Sequence, residues 1–197
     1  MKLVATFTLN VKHIVGITLM AVFLAVLALV QGNVLSVHVV KVQVKIVKMD
    51  LIFLSLLCLI VIVGHEALHI VTMKLLGVRV LSLKFVRALK IIPVAIMVVY
   101  DEISLDNYVL VSLVPQIISI LLLMMSIIFA NIVVEFTFYT GHLFPLMYGL
   151  YLIHLISSAG DFYGTMYTLV KARTLKGMWK TVLENDEVKE YKLYIEG

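Results

Sequence analysis

Charge is the scarcest ingredient of this chain. Only 14% of its residues are Asp, Glu, Lys or Arg, against 62% hydrophobic ones. Soluble domains carry about 25% charged residues, so an ordinary water-solvated domain is excluded and lipid must solvate most of the chain. Cysteine is nearly missing as well. Cys58 is the single one and lies in an apolar run, so no disulfide can form within the chain, and the residue reads as a small buried apolar group. Room is short. At about 20 residues per span, the apolar stretches of a 197-residue chain leave only brief connections, which excludes a second large domain. No repeat or low-complexity tract stands out. A net charge of +4 would suggest nucleic acid in a soluble protein. Here the positive-inside rule accounts for it, and no nucleic-acid partner is expected.

Four apolar stretches remain, at about 14–30, 51–73, 109–134 and 143–170. They predict an all-α membrane protein of about four transmembrane helices with small β elements in its loops. Residues 1–170 form one membrane-embedded domain, followed by a polar tail over 171–197. The first stretch has a short basic start and ends near Gln31-Gly32, which allows a cleaved signal peptide. Its length exceeds the usual apolar core of about 7–15 residues, which favours a retained span. From Val37 to Val47, Val40, Val42, Val44 and Ile46 alternate with Lys41, Gln43 and Lys45, the period of a strand. Val78–Tyr100 reads as a hairpin, with Leu81, Leu83 and Phe85 alternating against Ser82 and Lys84 and a break near Lys90–Pro93. The charged tail predicts a solvated helix or disorder. With four spans, the N-terminal segment, the second loop and the tail share one side and hold thirteen Lys and Arg against three on the other. That side is expected to be cytoplasmic.

One apolar stretch contains Gly64-His65-Glu66-Ala67-Leu68-His69. At 100° per residue, His65 and His69 project from one helix face a turn apart and can reach one metal ion. Glu66 lies beside that ion without binding it. There a carboxylate can take a proton from water whose pKa the metal has lowered, and pass it to a leaving amine. Three ionisable groups in five residues of one span, each costing about 2.5–3.5 kcal/mol on insertion scales, point to function rather than to a polar packing face.

Catalytic zinc takes three protein ligands and leaves a position open. Of the twelve acidic residues, only Glu66 and Asp161 fall within predicted spans, so Asp161 is the leading third ligand. Helix rise supports it. Counted from the outer face, His65 and His69 lie at about 21 and 27 Å, and Asp161 on a parallel span at about 27 Å. The alternative places Asp161 as an N-cap where Ser157-Ser158-Ala159-Gly160-Asp161 ends one helix and begins another. His154, two turns earlier, is either a hydrogen-bonded core histidine, the favoured reading, or a second-shell group beside the metal. Glu135 and His142 lie too far from that level, and His13 and His38 need no functional explanation. Pro115 is close to the metal level and frees a carbonyl in the preceding turn. A simple kink is its favoured reading, with Gln116 a possible second-shell amide.

Gly64-His65-Glu66-Ala67-Leu68-His69, then Lys74-Leu75-Leu76-Gly77, Leu113-Val114-Pro115 and Ser158-Ala159-Gly160-Asp161 together resemble the zincin peptidase family of small membrane proteins, related in plan to site-2 proteases. The resemblance covers about residues 51–170. It implies zinc held by His65, His69 and Asp161, with Glu66 as catalytic acid/base and membrane-anchored proteins as substrates. In site-2 proteases the aspartate sits in Leu-Asp-Gly with an Asn-Pro nearby. Here it sits in Ala-Gly-Asp-Phe. The expected function is intramembrane zinc metalloproteolysis of membrane proteins or peptides in a multi-pass cell-membrane protein. One alternative is a zinc protease acting at the membrane surface. The other is a non-proteolytic zinc carrier or inactive scaffold, which has no need of Glu66.

Overall fold

A computed structural model of the chain describes residues 1–8, 10–36, 48–88, 92–132, 143–184 and 187–196. The elements run β1 (Lys2–Phe7), α1 (Val11–Ser36), α2 (Lys48–Leu75), β2 (Val80–Ala88), β3 (Ile92–Tyr100), β4 (Glu102–Ser104) and α3 (Leu105–Leu113). They continue with α4 (Gln116–Ile132), α5 (Leu143–Ser157), α6 (Ala159–Ala172), β5 (Gly177–Glu184) and β6 (Glu187–Ile195). The strand expected over Val37–Val47, and His38, Glu135 and His142, lie outside the described residues.

Among the described residues, three stretches are long and apolar enough to cross a membrane: Val11–Gly32, Ser55–Leu75 and Leu105–Phe129. At 1.5 Å per residue, their 21 to 25 residues reach about 32–38 Å, enough for a hydrocarbon core of about 30 Å. Two expected spans are divided. Residues 109–134 were expected as one helix, but α3 and α4 part at Val114 and Pro115, because proline has no N–H to continue the ladder. Residues 143–170 divide at Ser158. There the Ser157 and Ser158 hydroxyls and the Ser158 N–H all donate to the His154 carbonyl, at 2.8, 2.9 and 3.0 Å, and side-chain donors of this kind compete with the helical ladder.

The chain forms two compact units, residues 1–17, 66–115 and 161–197, and residues 18–65 and 116–160, with the division inside α2 between His65 and Glu66. The first unit is built on a four-stranded antiparallel sheet of order β1-β6-β5-β4. The tail is therefore neither a solvated helix nor disordered as expected. It is the central hairpin of this sheet, with Lys2 opposite Ile195 and Ile103 opposite Trp179. Apolar burial explains the difference. Trp179 and Leu193 pack with Met73, Tyr100, Ile103, Leu105, Val111 and Ala172, each large side chain contributing about 1.5–3 kcal/mol. The tail's charges stay on the rim, where Lys180 pairs with Glu102 at 3.7 Å and Lys189 with Glu184 at 2.9 Å. The Trp179 indole donates to Thr168 Oγ1 at 3.0 Å. Burial pushes the Tyr191 phenol up to about 12, and that of Tyr100 well above its ordinary value.

The same unit contains the expected hairpin: β2 pairs β3 with Leu83 opposite Val98. It begins just after α2, whose end is closed by Gly77 at φ 72°. The Gly77 N–H reaches the Lys74 carbonyl and the Val78 N–H the Met73 carbonyl, a Schellman closure that favours glycine at the left-handed position.

In the second unit, α4 and α5 pack together. The Tyr148 hydroxyl donates to the Ala28 carbonyl, and that of Tyr151 to Gln31 Oε1 at 2.7 Å. Its burial is inverted relative to a water-soluble protein. Ser119, Ser126, His154 and Ser158 are buried, while Leu19, Phe23, Ile60, Ile120 and Met124 are exposed. Such continuous apolar surface suits lipid.

Candidate metal centre

His65 and His69 are both buried on α2, 7% and 8% exposed, with partly buried Glu66 directly after the first. An unbroken helix holds the histidine pair one turn apart. Asp161 lies in the first turn of α6, after the break at Ser158. It is thus inside the new helix and not at its cap, where the helix dipole favours a carboxylate. Because α6 begins at Ala159, Asp161 is its third residue.

His69 Nε2 stands 3.3 Å from Asp161 Oδ1. That is longer than the about 2.7–2.9 Å of a charge-assisted N–H···O bond. It matches the edge of a tetrahedron whose bonds to a central ion are about 2.0–2.1 Å. The ligand atoms offered by His65, His69 and Asp161 all lie within 4.8 Å of one another. The group could hold a metal ion.

Each histidine is held from behind. The His69 Nδ1–H donates to the Val111 carbonyl at 2.9 Å, so Nε2 is the nitrogen that His69 could offer to a metal. His65 Nδ1 lies 3.1 Å from His154 Nε2, His154 Nδ1 2.7 Å from Ser119 Oγ, and the Ser119 hydroxyl donates to Gln116 Oε1 at 3.2 Å. The direction of this string follows from the ligand role. If His65 coordinates through Nε2, its Nδ1 must carry the hydrogen. His154 then accepts at Nε2 and donates from Nδ1 to Ser119, and Ser119 donates to Gln116. Reversing the string would put a hydrogen on His65 Nε2 and remove that lone pair from a metal. His154 is fully buried, so it is both a hydrogen-bonded core histidine and the group that orients His65. Gln116 joins the string through its carbonyl oxygen.

Ser119 is the member that sequence reasoning missed. It sits 35 residues from His154, and a lone serine in an apolar helix has no distinguishing pattern. Only its spacing of three residues from Gln116, one turn along α4, linked it to a residue already singled out.

No family model, curated protein or solved structure matches this chain.

Proposed function

We propose that this protein is an intramembrane zinc metalloprotease, and the observation that carries the reading is the convergence of His65, His69 and Asp161 around a helix that also presents Glu66. Two imidazoles and one carboxylate, with one position left for water, are a donor set of catalytic zinc. Bound zinc supplies Lewis acidity toward the scissile carbonyl and lowers the pKa of water. Glu66, one residue beyond His65 and about 100° around the helix, is placed to take the proton of the attacking water. It then returns that proton to the leaving amine. The Val111 carbonyl and His154 keep both imidazoles aimed throughout.

Substrates follow from the apolar surface. They are membrane-embedded or membrane-associated proteins and peptides, whose scissile segment must unwind because a helix hides its amides. Strand β2, at the edge of a two-stranded sheet and carrying half-exposed Leu83, offers such a segment a pairing partner.

The sheet also supports an even number of crossings. Strands β1 and β6 pair directly and so belong to one side of a bilayer. Three full-length spans alone would separate them. On this reading α5 and α6 together make a fourth crossing, and the N-terminal strand, the loop holding β4 and the tail face the cytoplasm, in line with the excess of Lys and Arg there.

The decisive experiment is co-expression of single-span substrates with the wild type and with Glu66→Gln, measuring cleavage and bound zinc in the same preparations. Zinc is retained and cleavage falls by at least about 10²–10⁴-fold, the contribution of general acid–base catalysis. Equal cleavage by both proteins removes Glu66 from the mechanism. Zinc uptake without cleavage by either protein favours a carrier or scaffold.

A further inference from the structure

Pro115 does more than interrupt a helix. The last helical bond at the end of α3 runs from the Val114 N–H to the Leu110 carbonyl at 3.0 Å. The next in the series would run from residue 115 to the carbonyl of Val111, four residues earlier. Residue 115 is proline and has no N–H to give. The acceptor left over is the one that His69 Nδ1–H uses, at 2.9 Å. All three groups are buried: Pro115 completely, Val111 at 2% and His69 at 8% exposure. Water does not compete for the carbonyl, and its alternative to His69 is an unsatisfied buried acceptor.

We infer that Pro115 is a positioning residue for the metal centre: by withholding one backbone N–H it reserves the Val111 carbonyl for His69 and so fixes which imidazole nitrogen faces the metal. The inference rests on the metal-binding reading above and adds to it a residue that touches neither metal nor substrate. The proline acts by removing the competing donor. With an ordinary residue at 115, α3 and α4 can continue as one helix, and Val111 returns to the backbone ladder. His69 then loses the bond that holds its tautomer and ring orientation. A helix break without a proline leaves several terminal carbonyls open at once, whereas the proline releases one specified carbonyl opposite one specified ligand.

The test compares wild type, Pro115→Ala and a protein carrying at position 115 the α-hydroxy acid counterpart of alanine, whose ester oxygen has no hydrogen to donate. Zinc affinity is measured by chelator competition. Ligand geometry is read from the visible spectrum of the cobalt-substituted proteins, and the His69 tautomer from imidazole ¹⁵N shifts in the metal-free proteins. Pro115→Ala is expected to weaken zinc binding by about 10–100-fold, as loss of a partner behind a ligand does, with an altered cobalt spectrum and a His69 Nδ1 that no longer holds its hydrogen. The hydroxy-acid protein is expected to retain wild-type values of all three. Loss in both variants would show that the packed ring matters and not the missing donor, and loss in neither would show that His69 needs no such help; either overturns the inference. A wild type that binds no metal would sink the metal reading instead, while the ¹⁵N comparison in metal-free protein would still decide the role of Pro115.

Discussion

His154 Nε2 lies 3.1 Å from His65 Nδ1, and the two rings meet edge to face with centroids 5.1 Å apart. A second imidazole thus stands where many metal-ligating histidines have a carboxylate or a carbonyl. Neutral imidazole orients its partner without adding a negative charge to a buried site, where an unpaired charge is costly. His154→Ala is expected to weaken metal binding by about 10–100-fold, and Ser119→Ala to do so by less, because it loosens the support and leaves His154 in place. Chelator competition on the purified variants measures both. A Ser119→Ala effect larger than that of His154→Ala would contradict the order of the string.

Removing a ligand should be harsher than removing its support. His65→Ala, His69→Ala and Asp161→Ala are each expected to abolish stoichiometric zinc, since catalytic sites have three protein ligands as their usual minimum. Dialysis of wild type against a chelator should stop hydrolysis, and added zinc should restore it. Full zinc content in Asp161→Ala would remove that residue from the site and leave its 3.3 Å approach to His69 as a simple ion pair.

Sidedness is open to labelling. In a Cys58→Ser background, single cysteines at Arg87 and Lys180 should react with an impermeant maleimide from the cytoplasmic face, and one at Thr140 from the opposite face. Reaction of the Arg87 and Thr140 positions from one face would defeat the four-crossing arrangement.

Alkaline pH should loosen the sheet. Tyrosine titrates near 10 in an unfolded chain, while burial holds Tyr191 up to about 12 and Tyr100 well above its ordinary value. The folded state therefore keeps these protons longer than the unfolded one. The stability tied to their neutral forms is complete below about pH 10 and is lost as pH rises toward and through 12. Trp179, the chain's one tryptophan and buried in the same core, should report the loss by fluorescence alongside tyrosinate absorbance. Tyr191→Phe should move the transition to higher pH. An unmoved transition would mean that other groups govern it.

How far these features could be read in the sequence depended on whether a local pattern encoded them. The β2–β3 hairpin was legible because Leu81, Leu83 and Phe85 alternate cleanly with polar neighbours. The β5–β6 hairpin was not, although Glu190-Tyr191-Lys192-Leu193 alternates in the same way, because the surrounding charges resemble a solvated tail until Trp179 and Leu193 find their core. His65, Glu66 and His69 announce themselves through helical spacing. Asp161 was singled out as one of two acidic residues inside the expected spans, and its approach to His69 is 3.3 Å, but its place in the first turn of α6 had no clear signal. Ser119 and the Val111 carbonyl had no such signal: one is an ordinary hydroxyl, and the other belongs to a backbone whose sequence reveals only that Pro115 spares some acceptor.

The pairing of Lys2 with Ile195 sets a timetable. A ribosome adding about 5–20 residues per second leaves β1 without β6 for roughly 10–40 s. Throughout that interval the first strand is an open edge able to pair with a neighbouring chain. The histidines of α2 likewise precede Asp161 by roughly 5–20 s at the same rate. A nascent chain therefore passes through a stage in which the two imidazoles of the candidate metal group are made and its carboxylate is not, so a metal could be held by the complete group only late in synthesis.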